Sequence, residues 1–173
     1  MPILYKDVAV KDTDAMTKPT EIYLKDYLPP THLIDTVDLT FELDPVATRV
    51  SSRLQIRRNA QGPGGPLVLD GEDLTLLAVR VNGTVVGAEG TMSYRYDEKK
   101  RLVIDGLPDA CVLEIDTEIN PSANKQLMGL YVSNGTFCTQ CEALGFRRIT
   151  YYLDRPDVMA KFRTTIIADK DRY

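Results

Sequence analysis

The chain is 173 residues long, enough for one domain with a sizeable core. Its 25 acidic and 21 basic residues leave a net charge of -4, which argues against nucleic acid as a partner because no basic excess exists to neutralise phosphates. The single histidine, His32, excludes a multi-histidine metal site built by this chain alone.

Residues 1–17 read as a polar, unpatterned leader. They hold no basic stretch leading into an apolar one, so no signal peptide is visible. No apolar run approaches the ~20 residues that span a bilayer, and neither a membrane nor nucleic acid is expected as a partner. Three cysteines, Cys111, Cys138 and Cys141, are an odd number and do not suggest a secreted disulfide framework. A cytoplasmic location is expected. Thr17-Lys18-Pro19-Thr20 and Leu28-Pro29-Pro30-Thr31 break any early helix.

Alternation begins at Thr36. Val37, Leu39, Phe41 and Leu43 share one face, and Thr36, Asp38, Thr40 and Glu42 the other, the period of a strand with one wet side. After Asp44-Pro45, Thr48, Val50, Ser52, Leu54 and Ile56 alternate with Arg49, Ser51, Arg53, Gln55 and Arg57. The short connection predicts an antiparallel pair. A Gly- and Pro-rich loop at 59–66 leads to a short strand at 67–69 and another at 74–81. Asn82-Gly83 then marks a hairpin, since both residues tolerate a positive φ. Strands at 92–96 and 102–104 flank a charged turn, and Cys111, Leu113, Ile115, Thr117 and Ile119 alternate with Val112, Glu114, Asp116 and Glu118. The stretch after Asn120-Pro121 is less regular, and Asn134-Gly135-Thr136 reads as a turn. A short helix is expected near 156–162, with Pro156 in its first turn and Asp154 or Asp157 as its cap, then a last strand at 162–168. The fold class is all-β, a mostly antiparallel multi-sheet sandwich or saddle-like domain.

Two constellations could carry chemistry. Cys138-Thr139-Gln140-Cys141 has the CxxC spacing of a redox dithiol or half a zinc site, but there is no βαβ pattern and only Cys111 and His32 remain as further ligands. Small buried apolar cysteines are the alternative. His32, after a Pro-Pro turn and before an apolar strand, reads as a surface or strand-entry histidine. Gln140 and Glu142, two apart on an extended segment, would point to one side and offer a carboxylate and an amide carbonyl to an ammonium. An exposed polar loop is the bland reading of the same residues.

The run Cys138-Thr139-Gln140-Cys141-Glu142-Ala143-Leu144-Gly145-Phe146-Arg147-Arg148-Ile149-Thr150-Tyr151-Tyr152-Leu153-Asp154-Arg155-Pro156-Asp157-Val158 resembles the aminopeptidase N family of zinc-dependent gluzincin aminopeptidases. Ile119-Asn120-Pro121-Ser122-Ala123-Asn124, Leu67-Val68-Leu69-Asp70-Gly71-Glu72-Asp73-Leu74 and Asp35-Thr36-Val37-Asp38-Leu39-Thr40-Phe41 extend the likeness upstream, so that 18–173 resembles the family's N-terminal β domain. The resemblance implies that Glu142 binds the free α-amino group of a peptide substrate and that Gln140 lines the pocket for its first residue. It implies a structural role for Arg147 and Asp154, and no nucleophilic role for Cys141. In the family a catalytic domain follows, carrying a Gly-Ala-Met-Glu-Asn motif and a His-Glu-x-x-His zinc motif, neither of which occurs here. The chain is therefore expected to be a fragment that packs on a missing catalytic domain. Zinc and its ligands would lie outside it, and no catalytic residue or metal is expected within it. The fragment alone is expected to be inactive. The alternative function is a non-catalytic β-sandwich module that binds peptide or protein.

Overall fold

The alternating stretches fold as strands, half of whose pairings join neighbours in the chain and half join segments distant in it. The computed structural model describes residues 23–171, so the expected leader at 1–17 lies outside the described residues. The strands are β1 (His32–Glu42), β2 (Thr48–Arg58), β3 (Leu67–Leu69), β4 (Thr75–Val81), β5 (Thr84–Val85), β6 (Ser93–Tyr96), β7 (Leu102–Asp105), β8 (Ala110–Ile119), β9 (Gly129–Ser133), β10 (Thr136–Gln140) and β11 (Lys161–Ile167). They form a six-stranded sheet in the order β11-β1-β2-β8-β4-β5, a three-stranded sheet β3-β7-β6 and a two-stranded sheet β10-β9. Every pairing is antiparallel except that of β1 with β11. The expected all-β, mostly antiparallel, multi-sheet architecture is the one observed. Among the described residues no helix is long and apolar enough to cross a membrane.

Register explains the core. Val37, Leu54, Leu113 and Val81 sit opposite one another across β1, β2, β8 and β4, and all four are buried. Burying one leucine in such a row contributes ~1.5–3 kcal/mol. Leu39, Ser52, Ile115 and Val79 form the next row, also buried. Ser52 needs a partner there. Its hydroxyl donates to the Ile115 carbonyl (3.2 Å) and accepts from Thr150 (3.2 Å), which brings the 146–153 segment onto this face. Leu67, Leu69, Leu102 and Ile104 of the three-stranded sheet, with Tyr151, Tyr152 and Leu153, belong to the same apolar cluster.

The opposite face is wet and charged. Arg49, Arg53 and Arg57 of β2 lie within ion-pair distance of Glu118, of Asp38 and Glu114, and of Asp35. The arginine stripe is therefore neutralised across the sheet. The β1–β2 turn is closed by Asp44, whose carboxylate accepts from the Val46 and Ala47 amides (2.8 and 2.9 Å).

Three features differ from the sequence reading. β1 starts at His32, four residues early, because a bulge between Ile34 and Thr36 shifts the phase of its alternation. His32 is thus a strand-entry residue, and it is buried rather than on the surface. The irregular stretch contains the β9–β10 hairpin, turning at Asn134 (φ 49) and Gly135 (φ 81).

The short helix expected near 156–162 is absent. Its candidate cap, Asp157, is taken instead by Arg155 through two bonds (2.8 and 2.7 Å) and by the Tyr27 hydroxyl (2.6 Å). Pro156 and Asp157 form a turn closed by the Val158 amide on the Arg155 carbonyl (3.2 Å). From Lys161 the backbone pairs with β1, and Phe162 sets its ring edge-on to Phe146 at 5.7 Å. Those contacts outweigh the capping potential of an isolated turn.

Candidate functional site

Gln140 is the last residue of β10, opposite Gly129 at the start of β9. Gly129 has φ 73, and a Cβ on it would lie 2.6 Å from the Cβ of Arg148. Only glycine lets the base of the hairpin approach the 146–148 turn this closely. The strand ends at Gln140 because the chain folds back at once: the Gly145 amide bonds to the Cys141 carbonyl at 2.7 Å. Gly145 also faces the Gln140 carbonyl, which an added Cβ would meet at 2.7 Å.

Glu142 opens this turn, so it does not continue the alternation of β10 as the sequence reading has it. The two residues are brought together differently. The Gln140 side-chain amide donates to the main-chain carbonyl of Glu142 at 3.3 Å. Both side chains are exposed, and among the described residues the Glu142 carboxylate makes no hydrogen bond or ion pair.

The turn is anchored by charge. The Arg147 guanidinium donates to the Asp154 carboxylate (2.8 Å) and to its carbonyl (3.0 Å), and the Arg147 amide reaches the same carboxylate (3.2 Å). Asp70, at the end of β3, lies 3.7 Å from the same guanidinium. Burial raises the Asp70 carboxyl above its ordinary value, with Arg147 pulling the other way. The Glu72 amide donates to the Arg147 carbonyl (2.9 Å), and Arg148 pairs with both Glu72 and Asp73. The loop-holding geometry expected of Arg147 and Asp154 is present. Asp70, Glu72 and Asp73 are partners that the sequence reading did not find, since nothing local links them to a pair of arginines some 75 residues on.

Among the described residues the cysteines form no disulfide, and all three are free. Burial raises the Cys141 thiol, with Asp154 adding to it, and burial alone raises Cys111. A thiol held protonated is a poor nucleophile and a poor metal ligand. Among the described residues no group of three or more His, Cys, Asp or Glu side chains could hold a metal ion. The donor set does not fit zinc.

Comparison with known proteins supplies relatives of this chain. Residues 30–173 match the Peptidase M1 N-terminal domain family. Aminopeptidase N of Caulobacter vibrioides is 48% identical over 151 residues, covering 87% of this chain and 17% of that protein. Aminopeptidase N of Escherichia coli is 47% identical over 156 residues, covering 90% of this chain and 17% of that protein. Among solved structures, Legionella pneumophila aminopeptidase A in complex with aspartic acid matches with a TM-score of 0.77 at 31% identity, over 87% of this chain and 17% of that one. Native yeast LTA4 hydrolase shares the fold, with a TM-score of 0.63 at 19% identity, over 80% of this chain and 23% of that one. The chain thus spans only 17% of the length of the curated relatives it matches.

Proposed function

The chain belongs to the peptidase M1 N-terminal domain family, and from that premise we propose that it anchors the free amino end of a peptide substrate in a longer, zinc-dependent aminopeptidase. The observation that carries the reading is the Glu142 turn. A carboxylate unpaired among the described residues follows Gln140, whose amide bonds the Glu142 main chain, on a backbone clamped by Arg147, Asp154 and Asp70. A positioned carboxylate accepts the hydrogen bonds of an α-ammonium and leaves an internal peptide bond without a matching charge. Gln140 supplies a further acceptor for the first residue of the substrate. Zinc and its ligands belong to the catalytic part of the longer protein, against which this domain would pack. Zinc there supplies a Lewis acid and an activated water. This chain contributes orientation and selection of the amino terminus.

The test is Glu142→Gln in the full-length enzyme. The neutral amide keeps the shape and removes the charge that the ammonium pairs with. KM for an aminoacyl substrate should rise at least about tenfold, the scale of one charge-assisted hydrogen bond. Unchanged KM and kcat would remove the anchoring role. In the isolated chain the same change should leave the melting temperature where it is, because among the described residues the carboxylate has no partner to lose.

A further inference from the structure

At the corner where β1 begins, the one histidine of the chain sits buried. His32 Nδ1 lies 2.9 Å from the Thr31 hydroxyl, and that hydroxyl lies 3.2 Å from the Pro66 carbonyl. A carbonyl can only accept, so both contacts are hydrogen bonds together only when Thr31 gives its one proton to Pro66. In that arrangement the Thr31 oxygen accepts from His32 and the proton sits on Nδ1. Nε2 is left as a lone pair, buried and without a hydrogen-bond partner among the described residues.

The same corner joins four segments. The Asn59 amide bonds to the Thr31 carbonyl (3.0 Å), and its side chain to the Pro30 carbonyl (2.8 Å). The Arg58 amide bonds to the Asp109 carbonyl (2.6 Å), while its guanidinium reaches the Asp109 carboxylate (2.9 Å) and the Gly65 carbonyl (3.3 Å). A cavity lined by His32, Arg58, Pro66, Asp105 and Gly106 opens beside the ring.

We propose that His32 is an acid-sensitive latch: neutral, it packs the 59–66 loop against the start of β1, and protonated at Nε2, it keeps its Nδ1–H bond to Thr31 but brings an unpartnered charge toward Arg58 that loosens this corner. The imidazolium would add an N–H donor at Nε2 where no acceptor waits, together with a charge facing the Arg58 guanidinium. The nearby carboxylates are committed elsewhere, Asp109 to Arg58 and Asp105 to Arg95. Burial and then Arg58 lower the His32 value, and Asp109 opposes them.

The sign follows from proton counting. As pH falls through ~6.5 the unfolded histidine takes up a proton and the folded one does not. The unfolded state then binds more protons, so stability is lost as pH falls. Above that range both states are neutral and the contribution is constant. The loss stops growing once the pH passes below the folded value.

The sole imidazole makes the test direct. Nitrogen-detected NMR of the purified chain should show the Nδ1–H tautomer and a titration midpoint below the ordinary value. A midpoint at or above that value, or an Nε2–H tautomer, would overturn the proposal. In urea unfolding, the equilibrium constant should rise by up to about tenfold per pH unit across the window, the limit for one proton. His32→Phe keeps the ring and removes the titration, so its stability should fall less steeply with acid than that of the parent. Parallel curves would also overturn the latch. Amide exchange at 59–66, corrected for intrinsic rates, should accelerate on acidification in the parent more than in the variant. If His32→Phe does not fold, the titration and tautomer of the parent decide the matter alone.

Discussion

In the β1-β2-β8-β4 centre, a buried side chain finds its partner at the register position directly across the ladder. Between residues 129 and 154, Arg147, Arg148 and Thr150 find their side-chain partners outside any strand register. Leu54 meets Val37 and Leu113 by pairing alone. Arg147 meets Asp70 and Asp154, and Thr150 meets Ser52 across 98 positions. The first region derives stability from repetition of one pattern. The second derives its shape from a few specific contacts, and it presents the exposed Gln140 and Glu142. A rigid, redundant sheet thus supports a turn whose geometry rests on few bonds, as expected of a binding element on a scaffold.

The largest effect should come from breaking the centre. Leu113 is fully buried, opposite Leu54 and Val81. Leu113→Ala should cost about 3–5 kcal/mol in urea unfolding, the sum of lost transfer energy and an unfilled cavity. A loss below about 1 kcal/mol would show that the site collapses freely, contrary to the close packing of such rows.

The same contrast governs what was legible in the sequence. β2 and β8 alternate without a break, so both their burial patterns were readable residue by residue. β1 was readable only from Thr36, because the bulge at Asp35 puts Ile34 and Val37 on the same side despite their odd spacing. The hairpin at 129–140 carried an Asn-Gly turn, but its strands are short and mostly not buried, so period 2 is weak there. The helix near 156–162 failed for a different reason. Asp157 looks like a cap locally, yet its carboxylate belongs to Arg155 and Tyr27. Glu142 and Gln140 stood out through resemblance to a known motif. Their spacing suggested one shared face, whereas the turn closed by Gly145 sets the relation actually seen.

A smaller effect, confined to the second region, should follow removal of its charged clamp. Arg147→Ala strips the guanidinium from Asp154, which is buried, and from Asp70. The loss should be about 2–3 kcal/mol, at or below the low end for breaking a buried pair, since the Arg147 side chain is 22% exposed. The exchange rates of amides at 141–148 should rise while those of β2 and β8 stay put. If the whole sheet loosened equally, the two regions would be one cooperative unit and the comparison would fail.

The smallest effect should appear where charge is most abundant. Arg53 lies 3.6 Å from Glu114 and 3.9 Å from Asp38, with its side chain 46% exposed. Long, solvated pairs of this kind contribute ~0–1 kcal/mol, and salt weakens them further. Arg53→Ala should therefore shift the unfolding midpoint little, and less again in high salt. Asp38 keeps Arg163 at 3.6 Å, and Arg49 and Arg57 retain their own carboxylates, so most of the wet face stays paired. Both arginines lie near two carboxylates, but Arg147 is the less exposed and hydrogen-bonds Asp154 at 2.8 Å, whereas Arg53 comes no closer than 3.6 Å to Glu114 and 3.9 Å to Asp38. If Arg53→Ala cost as much as Arg147→Ala, neither burial nor distance would set the energy. The expected gap between them instead reflects the shorter bond of Arg147 together with the water that surrounds Arg53 and is largely excluded from Arg147.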